Sequence, residues 1–322
     1  MKKKIIIVGG DPNSINSEII YKAWRSQNKE NRNLMLIIGN YNLFVHQYKK
    51  LNIKTKLNKL NKYNDYFDVK KINVLDLPLK FKDPFKVSAK NCSKYITKSL
   101  SIAHKLATEK KIKAIINCSI SKTLLSSSMK IGVTEFLASK CKVKINSEIM
   151  MITNSQFSVV PLTTHIDIKE VARKIDQKLI ITKILSLNDK FKKLFKFNPK
   201  IGILGLNPHN GELRKNSEEK NIIIPAIKKL KKRKINLTGP IVADTAFISS
   251  YKKFDVLVGM YHDQVLSPFK SLYKFDAINV TLGLNYVRVS PDHGPALDII
   301  KKNKAHAGSL NLCIKFINKL IK

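Results

Sequence analysis

Ile5-Ile6-Ile7-Val8, closed by Gly9-Gly10-Asp11-Pro12-Asn13, is the stretch whose reading decides the fold class. Four apolar β-branched residues in a row read as a short strand. The Gly/Asp/Pro/Asn cluster stops it, and helical spacing follows through Tyr21–Trp24. Outward from there the same rhythm repeats. Leu34–Ile38, Ile72–Leu75 and Ala114–Cys118 read as strands. Between the last two, Cys92, Tyr95, Ile96, Leu100, Ala103 and Leu106 recur at helical spacing and predict one buried face. Strand–helix alternation of this kind predicts an α/β fold with a mostly parallel sheet covered by helices.

The middle of the chain reads differently. Lys144–Thr153 and Ser158–Leu162 look like neighbouring strands leading into Thr163-Thr164-His165. A Lys-rich helical region, Ile168–Lys196, comes next, then a strand at Ile201–Leu206, a polar loop and a helix at Ile222–Lys232. Asp255–Met260 and Ile278–Leu282 are further strands. From Ser309, expected as an N-cap, Leu310, Cys313, Ile314, Ile317 and Ile321 fall on one helical face.

Composition narrows the function classes. The 322 residues carry 60 Lys+Arg against 23 Asp+Glu, a formal net charge of +37. Such a charge makes nucleic acid the first partner to test. The excess, however, is 54 Lys with only 6 Arg, beside 41 Ile and 28 Asn. These residue types have A/T-rich codons, which points to drift in base composition. Nucleic-acid readers favour Arg, whose planar fork grips phosphate and guanine bidentately, so no nucleic-acid partner is expected. The run Lys228–Lys234 reads as the solvated C-terminal face of a helix. No apolar run reaches the length of a membrane helix, and the apolar stretch after Lys2-Lys3-Lys4 is too short for a signal peptide. Cys92, Cys118, Cys141 and Cys313 form no CxxC pair. The expected setting is a reducing cytoplasm.

Chemistry-bearing residues gather after strand-like runs. Thr163-Thr164-His165, Asn207-Pro208-His209-Asn210-Gly211-Glu212, Tyr261-His262-Asp263-Gln264 and Arg288-Val289-Ser290-Pro291-Asp292-His293-Gly294 all lie there. In α/β sheets, ligands bind beyond the C-terminal strand ends. Three histidines from such loops would make a nitrogen-donor metal site if the fold brought them together. Spacing alone leaves that open.

These segments resemble the 4-hydroxythreonine-4-phosphate dehydrogenase family of pyridoxal phosphate biosynthesis. Besides the loops above, the resemblance rests on Gly10-Asp11-Pro12, Gly132-Val133-Thr134-Glu135-Phe136-Leu137-Ala138, and Gly239-Pro240 with Ala243-Asp244-Thr245. Asn279-Val280-Thr281-Leu282-Gly283-Leu284 completes it, and all lie in the family's order. The resemblance implies an isocitrate/isopropylmalate dehydrogenase-like fold of two α/β/α domains with a cleft between them. One domain is expected at 1–128 plus 300–322 and the other at 129–299. It also implies a homodimer with the site near its interface. The implied reaction is oxidation of 4-phosphooxy-threonine by NAD or NADP, then decarboxylation to 3-amino-2-oxopropyl phosphate. The family uses no G-x-G-x-x-G fingerprint, which accounts for its absence here.

By the same resemblance, His165, His209 and His262 match ligands of a divalent metal, Zn, Mg or Co. Lys270, Asn279, Arg288 and Thr134 match substrate-binding positions, and Asp244 and Asp263 are candidates for orienting the histidines or moving a proton. His293 has no transferable role beyond holding its loop.

Three departures matter. Val133 stands where the family has a substrate-contacting His. Asn13-Ser14-Ile15-Asn16-Ser17-Glu18 and the loop from Asn210 to Asn216 replace glycine-rich turns, at a cost of about 1 kcal/mol per position wherever φ is positive. Val133 motivates the alternative of a paralogous dehydrogenase acting on another small phosphorylated hydroxy acid. A catalytically dead nucleic-acid-binding relic is the reading from another class. It requires clustered Arg and stacking aromatics that the sequence lacks.

Overall fold

The structure is a computed structural model that describes residues 3–125, 132–142, 147–154, 156–248, 250–274 and 276–320. Contacts divide the chain into two units, Met1–Cys141 with Leu284–Lys322, and Lys142–Gly283.

The first unit begins with β1 (Lys4–Val8), α1 (Asn16–Ser26), α2 (Lys29–Arg32), β2 (Met35–Gly39) and α3 (Tyr41–Lys50). It continues through β3 (Leu57–Leu60), β4 (Ile72–Asp76), α4 (Ala89–Thr108), β5 (Ile112–Asn117) and α5 (Val133–Lys140). The second unit holds β6 (Ile149–Thr153), β7 (Ser158–Thr163), α6 (Ile168–Lys174), α7 (Gln177–Phe195) and β8 (Ile201–Leu204). After these come α8 (Ile224–Lys232), β9 (Leu237–Ile241), α9 (Ala243–Ala246), β10 (Val256–Tyr261), α10 (His262–Tyr273) and β11 (Ile278–Leu282). The chain then returns to the first unit with β12 (Val287–Pro291) and α11 (Gly308–Leu320).

Strands of the first unit run β3-β4-β2-β1-β5-β12, all parallel. Parallel strands covered on both faces need no polar side. Accordingly Ile5, Ile6, Ile7 and Val8 are all fully buried. The helical face expected from Cys92 to Leu106 is the buried face of α4. Near β1, only Gly10 has a positive φ, 74°. The family's missing glycines therefore cost nothing in this turn, because its side chains replace them productively. Asn13 Nδ2 donates to the Val87 carbonyl at 2.8 Å, and Asn16 Nδ2 to the Ser119 carbonyl at 2.8 Å.

The second unit has the order β11-β6-β7-β10-β8-β9. Strand β6 is antiparallel to both neighbours, whereas β7, β10, β8 and β9 are parallel to one another. Of the expected strand 144–153, residues 144–146 lie outside the described residues. The Lys-rich helical region is two helices, since Asp176 breaks it and caps α7 by accepting the Leu179 N–H at 2.6 Å. In the basic run, only Leu230 is buried, and the Lys and Arg side chains from 228 to 234 are exposed.

Three expectations are corrected. Division at 128/129 and 299/300 would place α5 and β12 with the second unit. They belong to the first, because β12 pairs with β5 and Val133 and Phe136 of α5 pack against the first unit's core. Ser309 is not an N-cap: α11 starts at Gly308, and the Ser309 hydroxyl accepts the Asp292 N–H at 3.0 Å. Strands β3, β9 and β12 were not anticipated from the sequence. Ile321 lies outside the described residues, and among these no helix is long and apolar enough to cross a membrane.

Candidate active site

Four parallel strands of the second unit point their C-terminal ends the same way, and each delivers one titratable side chain. Strand β7 ends at Thr163, two residues before His165; β10 ends at Tyr261, next to His262. Strand β8 leads through Gly205-Leu206-Asn207-Pro208 to His209, and β9 leads to Asp244. Register aligns these ends, with Tyr261 opposite Thr163 and Leu204 opposite Ile241. Side chains lock them further. Thr163 Oγ1 donates to the Met260 carbonyl at 2.8 Å. Gln264 accepts the Met260 N–H at 2.7 Å and donates to the Gly205 carbonyl at 2.7 Å, tying α10 to the end of β8.

This arrangement brings the histidines together in part. The rings of His165 and His262 are 5.8 Å apart between centroids. His262 Nδ1 lies 2.6 Å from Asp263 Oδ1, so a proton on Nδ1 leaves the Nε2 lone pair for a ligand. His209 pairs elsewhere, its Nε2 3.7 Å from Asp244 Oδ2. Among the described residues, no three His, Cys, Asp or Glu side chains are gathered closely enough to hold an ion. Two imidazoles face one another, and the third stands with its own carboxylate.

His209 sits in unusual backbone. His209, Asn210, Gly211, Glu212 and Leu213 all have φ between 50° and 58°. A left-handed conformation costs L-residues roughly 1–2 kcal/mol each, least for Asn and Gly. Here the scarcity of glycine does carry a penalty, since Glu212 and Leu213 adopt this conformation with side chains. Leu213 is also exposed, so Leu213→Gly is expected to raise the unfolding free energy by up to about 1 kcal/mol. Urea denaturation would measure this, and an unchanged or lower midpoint would argue that the strain is absent.

The loop is held by a group the sequence did not reveal. Glu219 is fully buried, and its Oε1 accepts the N–H groups of Leu206 and Asn207 at 2.8 and 2.7 Å. Its Oε2 accepts Asn207 Nδ2 at 3.0 Å. Burial pushes the carboxyl upward, but the hydrogen bonds from Asn207 and Leu206 outweigh it and leave Glu219 below its usual range. Only its place beside Glu218, ahead of an apolar run, marked it in the sequence.

Lys270 is exposed in the last turn of α10, seven residues after Asp263 and so on the same helical face. Asn279 lies in β11, and its Oδ1 is a buried acceptor without a hydrogen-bond partner among the described residues.

The first unit brings together its own candidates. Arg288 on β12 is 3% exposed; its Nε donates to Asn117 Oδ1 at 2.6 Å and its Nη1 to Thr134 Oγ1 at 3.3 Å. Burial lowers the guanidinium to about 10. Val133 opens α5 beside Thr134 and packs against the core, so an apolar side chain is accommodated there. Asn117, the last residue of β5, was missed by sequence reasoning, although polar residues at strand ends are the signal to look for. His293 Nδ1 lies 2.9 Å from the Gly294 carbonyl, as befits a residue that orients its loop.

Similarity to known proteins extends over nearly the whole chain. The chain is 38% identical over 315 residues to a 4-hydroxythreonine-4-phosphate dehydrogenase of Sulfurihydrogenibium sp. (strain YO3AOP1), covering 95% of this chain and 94% of that protein. It is 34% identical, over 94% of this chain and 93% of the relative, to a protein of Oceanobacillus iheyensis provisionally named a D-threonate 4-phosphate dehydrogenase. The crystal structure of 4-hydroxythreonine-4-phosphate dehydrogenase from Klebsiella pneumoniae superposes with a TM-score of 0.85, at 28% identity and 100% coverage of both chains. Isocitrate dehydrogenase from Methylococcus capsulatus, at 11% identity and a TM-score of 0.51 over 99% of this chain and 86% of that one, shares the fold alone. The profile of the family described as "Pyridoxal phosphate biosynthetic protein PdxA" matches residues 31–317. With most of its length matched by that profile and its fold shared with that enzyme, the chain belongs to the PdxA family.

Proposed function

We propose that the chain oxidises the C3 hydroxyl of 4-phosphooxy-threonine, with NAD or NADP accepting the hydride. The β-keto acid so formed loses CO2 and leaves 3-amino-2-oxopropyl phosphate. The observation that carries this reading is the placement of His165, His262, His209 and Asp244 at the ends of four adjacent parallel strands, in a chain of this family.

His165, His209 and His262 would hold the divalent ion, Zn, Mg or Co. Imidazoles backed by Asp263 and Asp244 are a donor set suited to Zn or Co. Such an ion, when bound, supplies Lewis acidity for the substrate hydroxyl and for the ketone that follows. Asp263 holds the proton on His262 Nδ1, and Asp244 is the carboxylate nearest His209 for proton transfer. Lys270 supplies positive charge for an anionic group of the substrate, and within the first unit Thr134 fixes the fork of Arg288, the family's substrate-binding arginine. The unpartnered Oδ1 of Asn279 is ready to accept from the substrate's ammonium.

Exposed Ile166, Ile168, Leu213, Ile248 and Leu272 lie within a few residues of His165, His209, Asp244 and Lys270. Apolar surface beside these positions supports a homodimer that packs near them. The proposed setting is cytoplasmic.

The test is NADH or NADPH formation from 4-phosphooxy-threonine with Zn2+ or Mg2+. No reduced dinucleotide from protein that binds metal normally would exclude this substrate. Val133 and the Oceanobacillus relative favour one competitor, D-threonate 4-phosphate, which carries a hydroxyl where 4-phosphooxy-threonine carries its amino group. Running both substrates with the parent and Val133→His separates the two. The histidine is expected to raise kcat/KM for 4-phosphooxy-threonine by about 10-fold, the effect of one added hydrogen bond of roughly 1.4 kcal/mol.

Asp263→Asn is expected to weaken metal binding by roughly 10–100-fold, since a neutral amide no longer strengthens His262 as a donor. Isothermal titration with Zn2+ would show it, and parental affinity would remove Asp263 from the site.

A further inference from the structure

We infer that Glu219 is the positioning residue for His209: its buried carboxylate grips the two peptide N–H groups that lead into that histidine. The inference rests on the reading of His209 as a metal ligand. Leu206 and Asn207 present consecutive N–H groups to one oxygen, and the Asn207 side chain binds the other. Pro208 then fixes its own φ, so little freedom remains between the clamp and His209. The loop also wraps the carboxylate from both sides. A Cβ at Gly205 would stand 3.2 Å from Glu219 Oε1, and one at Gly211 would stand 3.0 Å from Oε2. Beyond His209, Asn210 Nδ2 donates to the Pro240 carbonyl at 3.1 Å, fastening the far end.

Packing alone does not explain a carboxylate here. Glu219 is fully buried, and no cation pairs with it among the described ion pairs. A buried charge loses its hydration, and here three amide donors from Leu206 and Asn207 take the place of water. Its use is to hold five left-handed residues, His209 to Leu213, in a conformation they would not keep unaided. An amide of the same shape would turn an NH2 group toward amide donors that need an acceptor.

Metal-free protein should therefore be titrated with Co2+, following visible absorption, beside Glu219→Gln, Glu219→Asp and His209→Ala. The expected result is a 10–100-fold weaker Co2+ affinity and an altered absorption band in Glu219→Gln, with a smaller loss in Glu219→Asp, whose shorter arm keeps the charge. Thermal melts of the metal-free variants report folding separately. Parental affinity and band in Glu219→Gln, while His209→Ala loses both, would overturn the positioning role and leave the metal reading standing. Parental binding by His209→Ala would instead remove the metal reading on which the inference rests. If Glu219→Gln does not fold, Glu219→Asp decides alone: weaker binding at an unchanged melting temperature supports the role, and parental binding overturns it.

Discussion

Replacing His262 by alanine is expected to weaken divalent-metal binding by at least about 100-fold, more than altering a group behind a ligand does. It is also expected to lower turnover on the order of 1000-fold, because Lewis-acid stabilisation is worth several kcal/mol and each 1.4 kcal/mol is tenfold. His262 opens α10 directly after β10, faces His165 across 5.8 Å, and has its Nδ1 engaged by Asp263. Its removal takes away one of the two neighbouring imidazoles and leaves Asp263 without this partner. The fold should survive, since the side chain is 37% exposed and fills no core position. The decisive comparison is a Zn2+ titration beside thermal unfolding. Lost binding at a melting temperature within a few degrees of the parent is the expected pair of results. Retained binding and turnover would mean that the facing histidines are not a metal site.

Arg288→Ala is expected to lower the unfolding free energy by about 3 kcal/mol and to abolish turnover, an effect in the range seen when one partner of a buried ionic group is removed. The guanidinium is 3% exposed and supplies donors to Asn117 and Thr134. Glu135 contributes negative charge near it, and the Glu135 Oε2 is itself buried without a hydrogen-bond partner among the described residues. Alanine strands these acceptors inside the first unit. Arg288→Lys keeps the charge but not the fork, so it should recover part of the stability and little of the activity. Chemical denaturation of the three proteins orders them parent, lysine, alanine. A parental midpoint for alanine would show that the Asn117–Arg288–Thr134 cluster does not hold the fold.

Much of this architecture was legible because apolar runs and helical faces are local. Ile5–Val8 and the Cys92–Leu106 face follow from composition and spacing, and the buried strand and helix obey them. The histidine loops were legible for a second reason: a strand end is a local feature even when its neighbours are distant. What stayed hidden depends on pairing between remote segments. Strand β12 is only five residues long, carries Arg288 and Ser290 and ends in Pro291, so it reads as part of a polar loop until β5 covers it. Strand β9 contains Gly239-Pro240, which argues against a strand until its place at the sheet edge is known. Glu219 was invisible for the same reason. A carboxylate in a Lys-rich, polar stretch reads as surface, and only the fold shows that the chain from Gly205 to Gly211 closes over it. The glycine-poor turns show both outcomes of one substitution pattern, harmless where φ stays negative and strained where it does not.

The split of the first unit has a consequence for how the protein is born. Strand β5 ends at Asn117, and its partner β12 begins only at Val287. At a synthesis rate of 5–20 residues per second, about 170 residues must follow, a wait of roughly 10–35 s. During that interval the second unit, whose residues are contiguous, emerges complete on the ribosome and is free to fold. Strand β5 meanwhile offers an open apolar edge of the kind that recruits foreign strands. The nascent chain is thus most vulnerable to misassociation, and most in need of a chaperone, in the period before residues 284–322 arrive.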